Sequence, residues 1–300
     1  MHIVPYDPSM VCDLAAMTNR AVENVPHCHP TTPEAFAAAV AKVKGQAKSN
    51  TPLRDKAASV ATDAGRIVGF IDLAVGCPEH DDQHPDAGVI PFFWYEPGRR
   101  DAGQALLEAA EDRFRTLGMT ALQAYPQEYK YDFYHLPCAY LSDHLAHVAA
   151  LLAFNGYRRT RGEVFFEWPD FLPVEPPPLD LPVKLVPEWK PGRATRPKLT
   201  LVARLGGQSI GVCDCESRGE DVPQDAAQDW FCTHWLSVDG AYRGRGLGTY
   251  LLRRALIEMR GAGYRHAIIS TALENHSAFV FYSNVGYRFV DWTYGWTRQF

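Results

Sequence analysis

The chain has 300 residues, 46% of them hydrophobic and 22% charged, with a formal net charge of -5. The length is about twice the usual single-domain prior, so two compact cores are expected, and the mildly acidic balance gives no general pull toward nucleic acid or anionic lipid. No apolar stretch is long enough to span a bilayer, and Met1-His2-Ile3-Val4-Pro5 lacks the basic start and apolar core of a signal peptide. Seven dispersed cysteines read as reduced thiols, which fits a cytoplasmic protein.

In chain order, Ile3-Val4-Pro5 reads as a strand, and Met10 to about Lys48 as helical, with Ser9 as a candidate cap and an alanine-rich stretch from Pro33 to Val43. The run Cys77 to Asp86 holds metal-type ligands, but adjacent acidic residues in a proline-bounded loop are ordinarily solvated, so no metal is expected. His27-Cys28-His29 and Cys213-Asp214-Cys215 supply no second ligand pair at zinc spacing. Arg100 to Ala105 leads into helix-spaced Leu106, Leu107, Ala110, Phe114 and Leu117, stopped at Gly118. Gln127 to Tyr140 is rich in aromatics, which either line a substrate cleft or pack between domains.

Residues 169–182 carry six prolines in fourteen positions, which excludes helix and central strand and favours an extended, semi-rigid spacer. The sequences on either side echo each other. Gly65 to Phe70 matches Gly207 to Val212 at an offset of 142, the Arg100 loop matches the Arg243 loop at 143, and Gly156-Tyr157 matches Gly286-Tyr287 at 130. Ile3-Val4-Pro5 matches Leu185-Val186-Pro187 at 182. One consistent order argues for a duplicated domain. The expected division is a first copy at 1–168, a proline-rich linker at 169–182 and a second copy at 183–300. The falling offset means that about forty residues of helix are missing between the first two strands of the second copy.

In the second copy, Phe231 to Val238 alternates as a strand and ends in Asp239-Gly240-Ala241-Tyr242-Arg243-Gly244-Arg245-Gly246-Leu247-Gly248. Helix-spaced Leu251, Leu252, Ala255, Leu256 and Met259 follow until Gly261. A helix amino end behind side-chain-free glycines suits a pyrophosphate, with Arg243 and Arg245 adding charge. After an apolar run from Ala267 to Thr271 come Asn275, Ala278, Tyr282 and the closing Gly286-Tyr287. The Arg-x-x-Gly-x-Gly loop followed by Asn-x-x-Ala-x-x-x-Tyr resembles the GNAT superfamily of acyl-CoA-dependent N-acyltransferases over residues 183–300.

The resemblance implies an α/β (α+β) fold of two tandem GNAT-like domains, each a mixed, mostly antiparallel sheet flanked by helices. It implies that acetyl-CoA is the cosubstrate, that backbone groups of Leu236, Ser237 and Val238 run beside its pantetheine arm, and that Arg243, Gly244, Arg245, Gly246, Leu247, Gly248 and Thr249 cradle its phosphates. Tyr282 stands at the family position of the acid that protonates the departing thiolate. Asn275 either contacts the cosubstrate or caps the helix that presents Tyr282. For the base, His234 lies on the strand leading to the loop, on the face of Leu236 and Val238 by simple alternation. Cys232 to Val238 resembles the arylalkylamine N-acetyltransferase branch, of whose two strand histidines only the second is kept; Glu216 is the reserve candidate.

In the first copy, Asp101 aligns with Gly244 at the loop offset and Leu152 with Tyr282, and Pro97 interrupts the loop entry, so that copy is expected to have lost its chemistry. The leading expectation is acetyl transfer to a primary amine, chiefly of a small molecule, by direct attack in a ternary complex. The alternative is a non-catalytic acetyl-CoA sensor or partner-docking protein.

Overall fold

A computed structural model describes residues 1–43, 52–77, 86–222 and 224–300. It divides the chain into two compact units, residues 1–163 with 291–300 and residues 164–290. In chain order the first unit supplies β1 (His2–Pro5), α1 (Val11–Ala21), α2 (Pro33–Ala41), β2 (Arg54–Asp63), β3 (Arg66–Gly76), β4 (Ala87–Tyr95), α3 (Arg100–Thr116), β5 (Ala121–Ala124), β6 (Leu141–Ser142), α4 (Ala146–Phe154) and the start of β7 (Arg158–Trp168). The second supplies β8 (Lys184–Lys190), β9 (Lys198–Leu205), β10 (Gln208–Ser217), α5 (Asp225–Gln228), β11 (Trp230–Val238), α6 (Leu247–Gly261), β12 (His266–Ala272), α7 (His276–Val285) and the start of β13 (Arg288–Gln299). No described helix is long and apolar enough to cross a membrane.

The two units follow one plan. In the first, β1 to β4 pair antiparallel in sequence and β4 pairs parallel with β5. In the second, β8 to β11 do the same and β11 pairs parallel with β12. Each parallel step is crossed by a helix, α3 or α6, as a parallel connection requires. The helix pair α1 and α2 has no counterpart between β8 and β9, which matches the forty-residue deficit read from the offsets.

Local signals explain most element ends, with one correction. A short 3-10 turn, Pro8–Met10, precedes α1; its cap is Asp7, which accepts from Ser9 N–H, so Ser9 is not the cap. Thr32 caps α2 with Pro33 in its first turn.

Most rings of the aromatic segment 127–140 turn into the first unit's core, while Glu128 and Tyr140 line a cavity with Leu122, Arg161 and Trp296. Tyr131 and Tyr134 are buried in the first unit's main core, Tyr129 in a smaller cluster with Leu53, Ala74 and Val89. Tyr131 stacks on Phe92 at 5.3 Å and 9°. His135 Nε2 donates to Asp291 (3.1 Å), because its Nδ1 already accepts from Leu136 N–H (2.8 Å); Ser142 Oγ donates to the same carboxylate at 2.7 Å. This network fixes Asp291, at the start of the terminal ten residues, within the first unit. From there β13 pairs antiparallel with β5, Trp296 opposite Ala124.

Residues 169–182 form no helix or strand, as their prolines dictate, but they are no free spacer. Phe171 is buried against Phe231 (5.6 Å between rings), its N–H donates to Arg265 C=O at 3.1 Å, and Glu175 pairs with Arg254 at 3.1 Å. The segment is strapped to the second unit.

Candidate functional site

The parallel pairing of β11 with β12 runs from Trp230↔His266 to Thr233↔Ile269 and stops, while β11 continues to Val238. The edge of Leu236, Ser237 and Val238 that faces β12 is therefore left without a ladder, a place where an extended ligand can add as a strand. On its other edge β11 pairs with β10, with a register shift: Asp214 faces Trp235 but Cys215 faces Thr233. His234 is the extra residue of a β-bulge, exposed to solvent. The bulge flips the alternation, so Leu236 and Val238 share the face of Phe231 and Thr233. The expectation that His234 simply joins that face is corrected: it sits at the turn of the pleat, beside the point where the two strands part.

The loop after β11 is tight. Asp239 Oδ1 accepts from Ala241 N–H at 2.9 Å and Tyr242 N–H returns to Asp239 C=O at 2.9 Å. Gly244 and Gly246 take φ of +73° and +80°, left-handed values that side chains disfavour. A Cβ at Gly244 would meet no protein atom within 4 Å. Gly246 caps α6 without a side chain, and the first helical bond is Tyr250 N–H to Gly246 C=O at 3.0 Å. The amides of Leu247, Gly248 and Thr249 thus have no carbonyl behind them inside the helix, and no acidic residue lies in the first turn. Arg245 is exposed; Arg243 donates from Nε to Val238 C=O at 3.0 Å, bracing the loop against the strand end.

Asn275 caps α7, accepting from Ala278 N–H at 3.3 Å and Ser277 Oγ at 3.0 Å. Two turns on, Tyr282 is 8% exposed, its ring 5.9 Å from Phe166 and 6.4 Å from Tyr287. Gly286, φ +130°, closes the helix where any side chain would strike Trp168 at 2.7 Å. Glu216 lies opposite Cys232, and its carboxylate is ion-paired with Lys198, which also reaches Glu220 at 3.3 Å. That ion pair raises the Lys198 ammonium above its ordinary pKa, the Glu216 hydrogen bond being the largest cause. A carboxylate so engaged is a weaker candidate base than the exposed imidazole of His234.

The first unit answers each of these positions differently. Gly69 faces Tyr95 as Gly211 faces Val238, and a Cβ on these glycines would meet Leu106 or Leu251, each at 2.8 Å. The offset is 143 at the strand end and 145 in the helix, so the first unit's loop is two residues shorter. Gly103 thus answers Gly248, and Asp101 answers Gly246 instead of Gly244. The Asp101 carboxylate lies in the first turn of α3, held by Arg99 at 3.0 and 3.1 Å, which also grips Asp63 at 2.9 Å. The Arg99 hydrogen bond holds the Asp101 carboxyl below its ordinary pKa. Beside β4, whose pairing with β5 ends at Ile90↔Ala124, Tyr125 fills the gap. Its buried hydroxyl accepts from Phe93 N–H at 3.2 Å and donates to Phe93 C=O. Phe93 opposes Ile71 as Leu236 opposes Cys213, so these are the backbone groups that remain open in the second unit. Burial raises the Tyr125 pKa, keeping the hydroxyl protonated to donate.

Sequence reasoning missed Tyr125, because nothing local marks a tyrosine as a plug; by pairing register it stands where the second unit has Ser270. Of the candidate metal ligands, residues 78–85 lie outside the described residues, and Cys213 and Cys215 are buried on the sheet face away from Asp214.

The Acetyltransferase (GNAT) family matches residues 164–287, nearly coincident with the second compact unit. An uncharacterised N-acetyltransferase of Methanocaldococcus jannaschii is 29% identical over 100 residues, 33% of this chain and 42% of that protein. The N-alpha-acetyltransferase RimI of Mycobacterium tuberculosis is 34% identical over 88 residues, 29% of this chain and 51% of that protein. The chain thus spans about half or less of these relatives. A solved tandem GNAT protein from the clavulanic acid biosynthesis pathway aligns with a TM-score of 0.64 at 18% identity, covering 99% of this chain and 98% of that one. A GCN5-related N-acetyltransferase from Sphaerobacter thermophilus aligns at 0.62 and 15%, covering 99% and 95%. The chain has the fold of tandem GNAT proteins, and residues 164–287, close to the second unit, match the Acetyltransferase (GNAT) family.

Proposed function

We propose that the second unit is an N-acetyltransferase that moves an acetyl group from acetyl-CoA to a primary amine by direct attack in a ternary complex. The observation that carries this reading is the parting of β11 from β12 directly above the open amino end of α6. Pantetheine adds along Leu236 to Val238, and the pyrophosphate sits on the amides of Leu247, Gly248 and Thr249, with Arg245 adding charge. The amine nitrogen attacks the thioester carbon, and its proton leaves through His234 directly or through water. A backbone N–H of β11 holds the oxyanion, the C–S bond breaks, and Tyr282 protonates the thiolate. The first unit serves as a degenerate copy, with Asp101 and Tyr125 standing where phosphate and pantetheine would bind. The cysteines are free thiols, in keeping with a cytoplasmic site of action.

The acceptor is read as a small-molecule amine. The similarity to N-alpha-acetyltransferases favours a peptide's terminal amine as a second reading. Calorimetry with acetyl-CoA, followed by thiol release across a panel of small amines and short peptides, tests both. One site per chain and turnover with an amine are expected; binding without turnover by any acceptor would leave a sensor instead.

A further inference from the structure

We propose that the first unit binds a small free amino acid in a cavity of its own, the ammonium against Glu128 and the carboxylate against Arg161. The cavity measures about 260 Å3, and every residue lining it belongs to that unit. Its floor is the paired strands β5 and β13, from Ala124 opposite Trp296 to Ala121 opposite Gln299. The side chain of Leu122 faces α3, since a Cβ on Gly88 would touch both Leu122 and Phe114. By alternation Gln123, the opposed Thr297, and Gly295 two residues before it turn to the other face. A Cβ at Gly295 would meet Tyr140 at 3.1 Å and Thr160 Oγ1 at 3.2 Å, so the glycine lets the ring and the hydroxyl close in on that side. This site thus lies across the sheet from α3 and the carboxylate of Asp101 in its first turn.

The polar groups of this cavity are not answered by the protein. Glu128 is 9% exposed and Tyr140 8%, while Arg161 is exposed at the rim. Among the described residues, the Glu128 carboxylate, the Tyr140 hydroxyl and the Arg161 guanidinium make no hydrogen bond or ion pair, and Glu128 and Arg161 do not pair with each other. The three are neighbours nonetheless. Burial raises the Tyr140 pKa above its ordinary value, the Glu128 charge adds to that rise, and the Arg161 charge opposes it. Other buried charges of the same region are answered: Lys130 donates to Tyr134 C=O at 2.8 Å, and Asp291 accepts from His135 and Ser142. A carboxylate withdrawn from water without a donor is costly, and an ammonium relieves it. A guanidinium at the rim offers its planar fork to a carboxylate. An amine alone would leave Arg161 unanswered and an acid alone would leave Glu128, whereas an α-amino acid answers both. The volume lies just under the roughly 300–1000 Å3 of drug-sized sites, which suits a single amino acid and not a nucleotide.

The test uses the full chain without acetyl-CoA. The probes are the common L-amino acids, together with L-norvaline and its two halves, n-butylamine without the carboxylate and pentanoate without the ammonium. Binding is read by calorimetry and folding by thermal melting. L-Norvaline should bind about 3-fold or more tighter than n-butylamine and about 10-fold or more tighter than pentanoate. Glu128→Gln should weaken the tightest amino acid by about 10- to 100-fold, because it removes the buried charge that faces the ammonium. Arg161→Gln, at the exposed rim, should weaken it by about 2- to 5-fold, and Arg161→Lys should recover part of that loss. Arg161 makes no contact that the fold needs, so its variants decide the question even where Glu128→Gln melts early. An amino acid held at the second unit would be indifferent to both positions, so an unchanged Kd in the folded variants would overturn the proposal. Equal affinity for n-butylamine and L-norvaline, or no binding by any amino acid, would overturn it as well. Turnover plays no part in the readout, which keeps the outcome separate from the acetyl-transfer reading.

Discussion

Two strand-loop-helix junctions built on one plan differ in who satisfies their polar groups. At the first, Asp101 lies in the first turn of α3 and the Tyr125 hydroxyl closes both backbone groups of Phe93. At the second, the first turn of α6 has no acidic residue and Leu236 faces a gap in the sheet. Buried backbone groups left unmade cost about 1–3 kcal/mol each, so a copy that gives up its ligand needs side chains to replace it. A carboxylate mimics a phosphate and a phenol mimics an amide. On the proposed reading, closure of the first junction is the physical consequence of lost binding, and the open second junction is the place left for acetyl-CoA.

The largest effect should follow from giving the second junction the first one's residue. Gly246→Asp places a carboxylate at the position of Asp101, and adds a Cβ at a φ of +80° that side chains disfavour. Acetyl-CoA affinity by calorimetry should fall by about 1000-fold or more, since a charge repels the phosphates and the helix amides gain an internal partner. Retained affinity would break the equivalence of the two junctions. Gly103→Asp is no neutral control, because a Cβ there would meet Tyr95 at 2.5 Å and Leu151 at 2.8 Å.

A second difference is titratable. Asp72 is pushed up to about 6 from its ordinary 3.8, chiefly by burial, with Lys56 opposing the shift. A carboxyl whose pKa is higher folded than unfolded favours folding when protonated, so its contribution is complete below about pH 4 and is lost as pH rises through about 6. The upper limit is about 3 kcal/mol for a shift of this size. Resistance of the first unit to denaturant should therefore weaken between pH 4 and 7, and Asp72→Asn should flatten that slope. A slope unchanged in the variant would mean that the ammonium of Lys56 already offsets the burial.

Tyr282 and Leu152 mark the chemical difference. Tyr282→Phe should lower kcat by about 100-fold with acetyl-CoA affinity nearly unchanged, because the lost proton is needed when the thiolate departs. His234→Gln should lower kcat by about 10-fold with acetyl-CoA affinity unchanged, since it removes the group that takes the amine's proton. If kcat is unchanged, Glu216 freed from Lys198, or a water chain, carries the proton.

The sequence made the repeat, the missing helix pair and the glycine loop legible because each is a local pattern or a count. It could not reveal the bulge at His234, since an inserted residue shows only against a partner strand, and that bulge undid the simple alternation from His234 to Val238. The two-residue difference in loop length was hidden for the same reason: Asp101 and Gly244 align along the chain, while the packing of Leu106 and Leu251 aligns Asp101 with Gly246. The aromatic segment showed its composition but not its direction, and Tyr131 turned into the first unit's own core.

The smallest expected effect is none, and it tests whether closure of the first junction rests on one residue. Asp101→Gly, made in the Gly246→Asp background so that the second site is silent, clears the carboxylate from α3. It releases an exposed pair with Arg99, which costs little stability. It leaves Tyr125 on both backbone groups of Phe93 and leaves His147 Nε2 against Tyr95 C=O at 2.9 Å. The shortened loop also remains, so the amides of Ala102 and Gly103 still turn back to Arg99 C=O at 3.0 and 3.2 Å. Acetyl-CoA should give no calorimetric signal at the first unit. Recovered binding would mean that Asp101 alone closed the junction, and that the tyrosine yields its place to pantetheine once the phosphates have somewhere to sit.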